Sequence, residues 1–170
     1  MPAKTAIDID GSEAVTTALL ELLNRFPGLQ PGEKILFSTV PENGGIGFFP
    51  TSGTVYLRND ENITGHVVQV CQYPFSVVRR AGAKSETQRL RIKEFLDTLG
   101  KWLERQPVTV NGAKSQLAEY PALESGNREI QSISRTNPAH LNAAYPDGME
   151  DWVISGALNY KNEFDRYAVL

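Results

Sequence analysis

The chain is poor in the residues that most often carry chemistry: among 170 residues there is one cysteine, and there are two histidines. A single cysteine cannot close an internal disulfide, so nothing points to an oxidising compartment. Two histidines and one cysteine cannot fill a common four-ligand zinc site without carboxylates, and neither CxxC nor HxxxH occurs. GxGxxG, the Walker motif and G-x-S-x-G are missing too. No stretch reaches the roughly 18 apolar residues of a membrane span. The opening "MPAKTAIDID" has neither a long apolar core nor a small-residue cleavage site, so no signal peptide is expected. With 17 basic against 20 acidic residues, no basic stripe stands ready to neutralise phosphates. The expectation is a soluble chain made in the cytoplasm, with no metal, no cofactor and no grip on nucleic acid.

What is present suits one domain by the usual size of roughly 100–200 residues. Such a chain buries about 70% of its unfolded surface, enough to fold without disulfide or metal. Residues 1–10 read as an N-terminal extension and 11–170 as a single domain. In "GSEAVTTALLELLNRFPG", Val15, Ala18, Leu19, Leu22, Leu23 and Phe26 follow one helical face. Asp10 or Ser12 is placed to cap it, and Pro27-Gly28 ends it. A second helix is predicted in "SETQRLRIKEFLDTLGKWLERQP", capped by Ser85 with Gln88. Its buried stripe is Ile92, Phe95, Leu96, Leu99, Trp102 and Leu103, and its charged face holds Arg91, Glu94, Asp97, Lys101 and Glu104. Gly100 inside it costs about 1 kcal/mol against alanine, which points to a close packing contact.

The remaining segments read as strands and turns. "EKILFSTV", "GTVYLRND" and "REIQSISRT" are strand candidates, and "VTVNGAKSQL" is a hairpin turning at Asn111-Gly112. "NPAHLNAAYPDG" reads as a loop. In "EDWVISGALNYKN", Trp152, Ile154, Leu158 and Tyr160 alternate with polar residues, and Gly156 marks a bulge or a close approach. Strands in consecutive runs, rather than alternating with helices, predict an α+β fold: a mainly antiparallel sheet with two principal helices packed on it.

"ITGHVVQVCQYPFSVVRRAG", residues 63–82, holds the cysteine and one histidine. As a strand it puts Val67, Cys71, Tyr73, Phe75 and Val77 on one face, with Gln69 as the polar exception. His66, Val68, Val70, Gln72, Ser76, Val78 and Arg80 fall on the other. Pro74 suggests a bulge or an edge. Cys71 and His66, five residues apart, point to opposite faces with their Cα atoms about 16 Å apart along the strand, which rules out a direct nucleophile–base pair. The second face is too apolar for plain solvent, so the helices or a neighbouring subunit should cover it. "PENGGIGFFPTSG" reads as a breaker-rich loop whose aromatics either fold inward or form a docking surface. "NGGIGF" lacks the Lys-Ser/Thr and helix start of a phosphate loop. Candidate interface residues are therefore Gly44, Gly45, Ile46, Phe48 and Phe49 in the loop, with Val68, Val70, Val78 and Arg80 on the strand.

The runs "LLELLNRFPGLQPGEKILFSTVPENGGIGFFPTSG", "GHVVQVCQYPFSVVRRAG", "IKEFLDTLGKWLERQPV" and "GMEDWVISGALNYKNEFDR" resemble the minor capsid proteins of Gram-positive prophages. The order of leading helix, strand set, middle amphipathic helix and closing aromatic strand is similar to the lambda-type tail terminator. The resemblance implies a non-enzymatic virion protein of the tail and neck. Such proteins form a ring, usually hexameric, on the head-proximal end of the tail tube. The ring stops tube polymerisation and offers a surface for head attachment. The implied partners are further copies of the chain, the tail tube protein and a head-completion or connector protein. DNA passes through the lumen without specific binding, and the mild acidity suits that. Some such prophage proteins carry a chloramphenicol-resistance label, but the HHxxxDG motif of that acetyltransferase class matches neither histidine here. Two alternatives stand beside the terminator: a head-completion or connector protein, and a small enzyme using carboxylates or Cys71.

Overall fold

The computed structural model describes residues 11–123 and 127–167. The predicted extension of residues 1–10, and with it Asp10 as a cap, lies outside the described residues. The elements run α1 (Ser12–Leu23), β1 (Ile35–Phe37), β2 (Gly45–Pro50), β3 (Val55–Glu61), β4 (His66–Gly82), α2 (Glu86–Leu103), β5 (Val108–Val110), β6 (Ala113–Ser115), β7 (Asn127–Ala144) and β8 (Met149–Asp165). This is the predicted α+β fold, with both helices against a mostly antiparallel sheet.

Three long strands make the frame. β4 pairs with β8 along all of its length without a register shift, and β7 pairs with β8 on the far side. On its other flank β4 holds two strands end to end: β2 opposite residues 75–80 and β3 opposite residues 67–72. β1 adds to β2 in parallel. A separate hairpin joins β5 and β6 through Asn111-Gly112, both at positive φ as a type I′ turn requires.

Pro74 is neither at an edge nor in a bulge. It sits opposite Ala157, in the gap between β2 and β3, and its carbonyl accepts from Thr51 N on that flank. The main-chain groups of one strand residue face the same neighbour in an antiparallel pair. The missing Pro74 N–H therefore falls where no partner strand asks for it.

One face of the sheet carries the core. Val67, Cys71, Tyr73, Phe75 and Val77 are at most 2% exposed, as the alternation predicted. Against Cys71, Tyr73, Phe75 and Val77 pack Val15, Leu19, Leu22 and Leu23 of α1 and Leu96, Leu99, Trp102 and Leu103 of α2. Burying each such leucine contributes roughly 1.5–3 kcal/mol. The phenol of Tyr73 lies 2.7 Å from Thr16 Oγ1, and the Phe26 ring meets both Phe95 and Trp102 at 5.5 Å. Asn24, just past α1, bonds both main-chain groups of Ile35 and so holds β1 in place.

The helix caps differ in detail from expectation. Gly11 occupies the cap position of α1, with Ser12 already helical. At α2, Ser85 Oγ accepts from Gln88 N as predicted, while Gln88 reaches back to Lys84 N. Gly100 is the predicted contact point: a Cβ there would lie 2.3 Å from Arg135 Cδ and 2.8 Å from Ile154 Cδ1.

Two segments read as loops are strands. Gly45–Pro50 forms β2, and the segment read as a loop around Pro138 is the second half of β7, which reaches a tight turn at Tyr145–Gly148. Register shifts along β7 absorb extra residues at Gln131, Thr136, Pro138-Ala139 and Asn142. Each shift breaks the period of two that reveals a strand in sequence.

The two flanks end differently. Amide groups of β7 that β8 does not take are taken by side chains: Ile133 N by Tyr120 Oη, Arg135 N by Glu104 Oε2 and Ala139 N by Asp97 Oδ1. On the opposite flank, no strand among the described residues pairs with the outer edge of β3.

Candidate functional site

The nine candidate interface residues divide between the two faces of the sheet. Ile46 and Phe48 of β2 point into the core and are fully buried, with the Phe48 ring 5.9 Å from that of Phe75. They are not surface contacts. The docking-loop reading is corrected for them, because "GIGFFP" is a strand with Ile46 and Phe48 on its inner face. Gly44 precedes that strand. Gly45 and Phe49 lie on its outer side, opposite Arg80 and Ser76.

Val68, Val70, Val78 and Arg80 occupy the other face of β4, as the alternation requires, and all are half-buried. Neither helix covers this face. Part of it is covered by the chain itself: a Cβ on Gly47, opposite Val78, would lie 2.4 Å from Thr39 O and 2.8 Å from Val40 Cγ2. The segment after β1 thus crosses over Gly47, a position that only glycine can fill. Along the middle, Ser76 and Ser155 join their hydroxyls at 2.8 Å. Val68, Val70 and Gln72 remain half-open beside Lys161, Asn159 and Glu163 of β8.

Arg80 is committed within the chain. Its Nε and Nη2 donate to the two oxygens of Asp151 at 2.7 and 2.9 Å, and Tyr145 donates to the same carboxylate at 2.6 Å. The Arg80 guanidinium holds the Asp151 carboxyl below its ordinary pKa. On the opposite face Glu150 accepts from Arg89 and from the Trp152 indole, and the Arg89 bond likewise holds its pKa down. The β7–β8 turn is thereby fastened on both sides of the sheet.

The residues sequence reasoning missed lie on β3. Val55, Tyr56 and Leu57 are 41, 51 and 52% exposed, a row of large apolar side chains on a free flank. "GTVYLRND" was legible as a strand, but its position at the sheet's edge was not. Asp97 and Glu104, placed on the charged face of α2 by the sequence, turn toward β7 and take its amides.

Cys71 is fully buried, with its thiol 3.9 Å from Gln69 Oε1, while His66 sits on the opposite face between Asp165 and Glu163. Among the described residues, no group of three or more histidine, cysteine, aspartate or glutamate side chains is arranged to hold a metal ion. A groove of about 400 Å³ opens between Phe26, α2 and the β5–β6 hairpin. Its Arg79 guanidinium already stacks on the Phe95 ring at 4.1 Å and pairs with Glu33 at 3.7 Å. No described helix is long and apolar enough to cross a membrane. Compared with known proteins, the chain matches no family model and no curated protein.

Proposed function

We propose that the chain is a ring-forming structural protein, a phage tail terminator. In this reading it caps the head-proximal end of the tail tube and carries the surface for head attachment. The observation that carries the reading is the uneven covering of the sheet. Helices protect one face only, and the free flank presents Val55, Tyr56 and Leu57 to solvent. Exposed apolar rows of this kind mark protein contacts. A closed ring needs two unlike complementary surfaces on each subunit. The half-open second face around Val68 and Val70 and the β3 flank are two such surfaces on one molecule.

The resemblance of the sequence to prophage minor capsid proteins supplies the biological setting. Partners in that setting are further copies of the chain, the tube protein and a connector protein. The test has two parts. Light scattering and negative-stain microscopy of the purified chain should show closed rings. Tails assembled without the protein should be overlong. A chain that stays monomeric even with tube ends present would defeat the reading, and tails of normal length without heads would assign it to head joining instead.

A further inference from the structure

The tip of the β3–β4 hairpin is strapped by the segment that leaves β8. Arg166 donates through Nε and Nη2 to the two oxygens of Glu61, at 2.8 and 3.3 Å. Its amide donates to the Gly65 carbonyl at 2.8 Å. The Tyr167 ring lies against Gly65 so closely that a Cβ there would meet it at 2.4 Å. Inside the tip, Asn62 Oδ1 accepts from Thr64 and from His66 N.

His66 sits at the root of this strap. It is the first residue of β4 and the register partner of Asp165, the last residue of β8. Its Nδ1 is 2.8 Å from Asp165 Oδ1, and its Nε2 is 3.4 Å from Glu163 Oε2. Both ring nitrogens therefore face carboxylates. A neutral imidazole has one N–H and one lone pair. In either tautomer it would set that lone pair against an anionic oxygen, and only the imidazolium offers a proton to each.

The surrounding charges favour the same form. β8 supplies Glu163 and Asp165, with Lys161 2.6 Å from Glu163. β3 supplies Asp60, paired to Arg58, and Glu61, paired to Arg166. β7 adds Glu129, whose charge acts on Lys161. The carboxylates in this set outnumber the cations.

We propose that the end of β8 with Arg166 and Tyr167 is a pH-dependent strap, closed over the β3–β4 tip while His66 is an imidazolium and loosened when it is neutral. This does not rest on the terminator reading. It couples pH to the end of β3, the strand whose flank is exposed. The neighbouring carboxylates, Asp165 first, raise the His66 pKa above its ordinary 6.5. A raised pKa means that the strap's contribution is full below about 6.5 and is lost as pH rises through the folded value.

An NMR titration of the full chain tests this, with the His66 ring signals separated from those of His140 by the variant His66→Gln. The His66 ring should carry protons on both nitrogens at low pH and titrate above 6.5. The amide signals of Gly65 and Arg166 should shift with the same midpoint. In Asp165→Asn the midpoint should fall, and in Glu163→Gln it should fall by less. A His66 midpoint at or below 6.5, Gly65 and Arg166 amides that ignore the His66 titration, or a midpoint unmoved in Asp165→Asn would each overturn the strap.

Discussion

Neighbouring residues of β4 live in different solvents. Cys71, Tyr73, Phe75 and Val77 look into a dry core closed by both helices, whereas Val68, Val70 and Val78 look across a face that neither α1 nor α2 covers. The side chains are of one kind, so hydrophobicity alone does not say which face is finished within the subunit. What separates them is the connectivity. Both helices reach the same side of the sheet, and the segment after β1 crosses the other.

The sharpest way to break this contrast is the adjacent pair Phe48 and Phe49. Phe48→Ala should cost about 3–5 kcal/mol in urea unfolding, because its ring is fully buried among Phe75, Tyr73 and Phe37. Phe49→Ala, on the half-open side, should cost less than about 1 kcal/mol. Equal losses would mean that the second face is as dry as the first. A joint replacement of both phenylalanines would therefore report on folding and could not test docking, for which Phe49→Ser alone is suited.

A smaller effect is expected at the flank of β7. Asp97→Ala leaves the buried Ala139 amide without its acceptor. The loss should be about 1–3 kcal/mol in thermal or urea unfolding. If amide exchange at Ala139 stayed as slow as before, the side chain would not be what protects that edge.

The smallest stability change belongs to Val70. Val70→Ala should lower stability by less than about 1 kcal/mol, while Val70→Lys should leave the monomer folded and reduce the assembled fraction seen by light scattering. Unchanged assembly in Val70→Lys would remove the second face from the contact.

The sequence revealed these regions unequally. The alternation in β4 was readable because the strand is long and pairs with β8 without interruption. The two helices were readable from their apolar stripes and, for α2, from Ser85 and Gln88. β2 was hidden by Gly44, Gly45, Gly47 and Pro50, although Ile46 and Phe48 on either side of Gly47 carried a period of two. The second half of β7 was hidden by its own register shifts. The amide-capping role of Asp97 and Glu104 left no trace in helical periodicity, since the same positions suit a solvated face. Nor did local sequence show that β3 ends a flank, because strand order is set by contacts far apart in the chain. The separation of Cys71 from His66 needed only the pleat.

The unequal flanks have a consequence best put in the terms of polymer chemistry. A monomer with two reactive ends grows into a chain, whereas a monomer with one stops at a pair. For strand addition, the middle of the β7 flank is a blocked end: between Ile133 and Ala139, register shifts, Pro138 and the side chains of Tyr120, Glu104 and Asp97 occupy groups that a new strand would need. Among the described residues, the outer edge of β3 carries no partner strand and is a reactive end. The two flanks are thus unequal toward sheet extension. Edge-to-edge growth from β3 onto the capped stretch of β7 is thereby disfavoured, and a closed assembly that used the β3 edge would need a second, unlike surface.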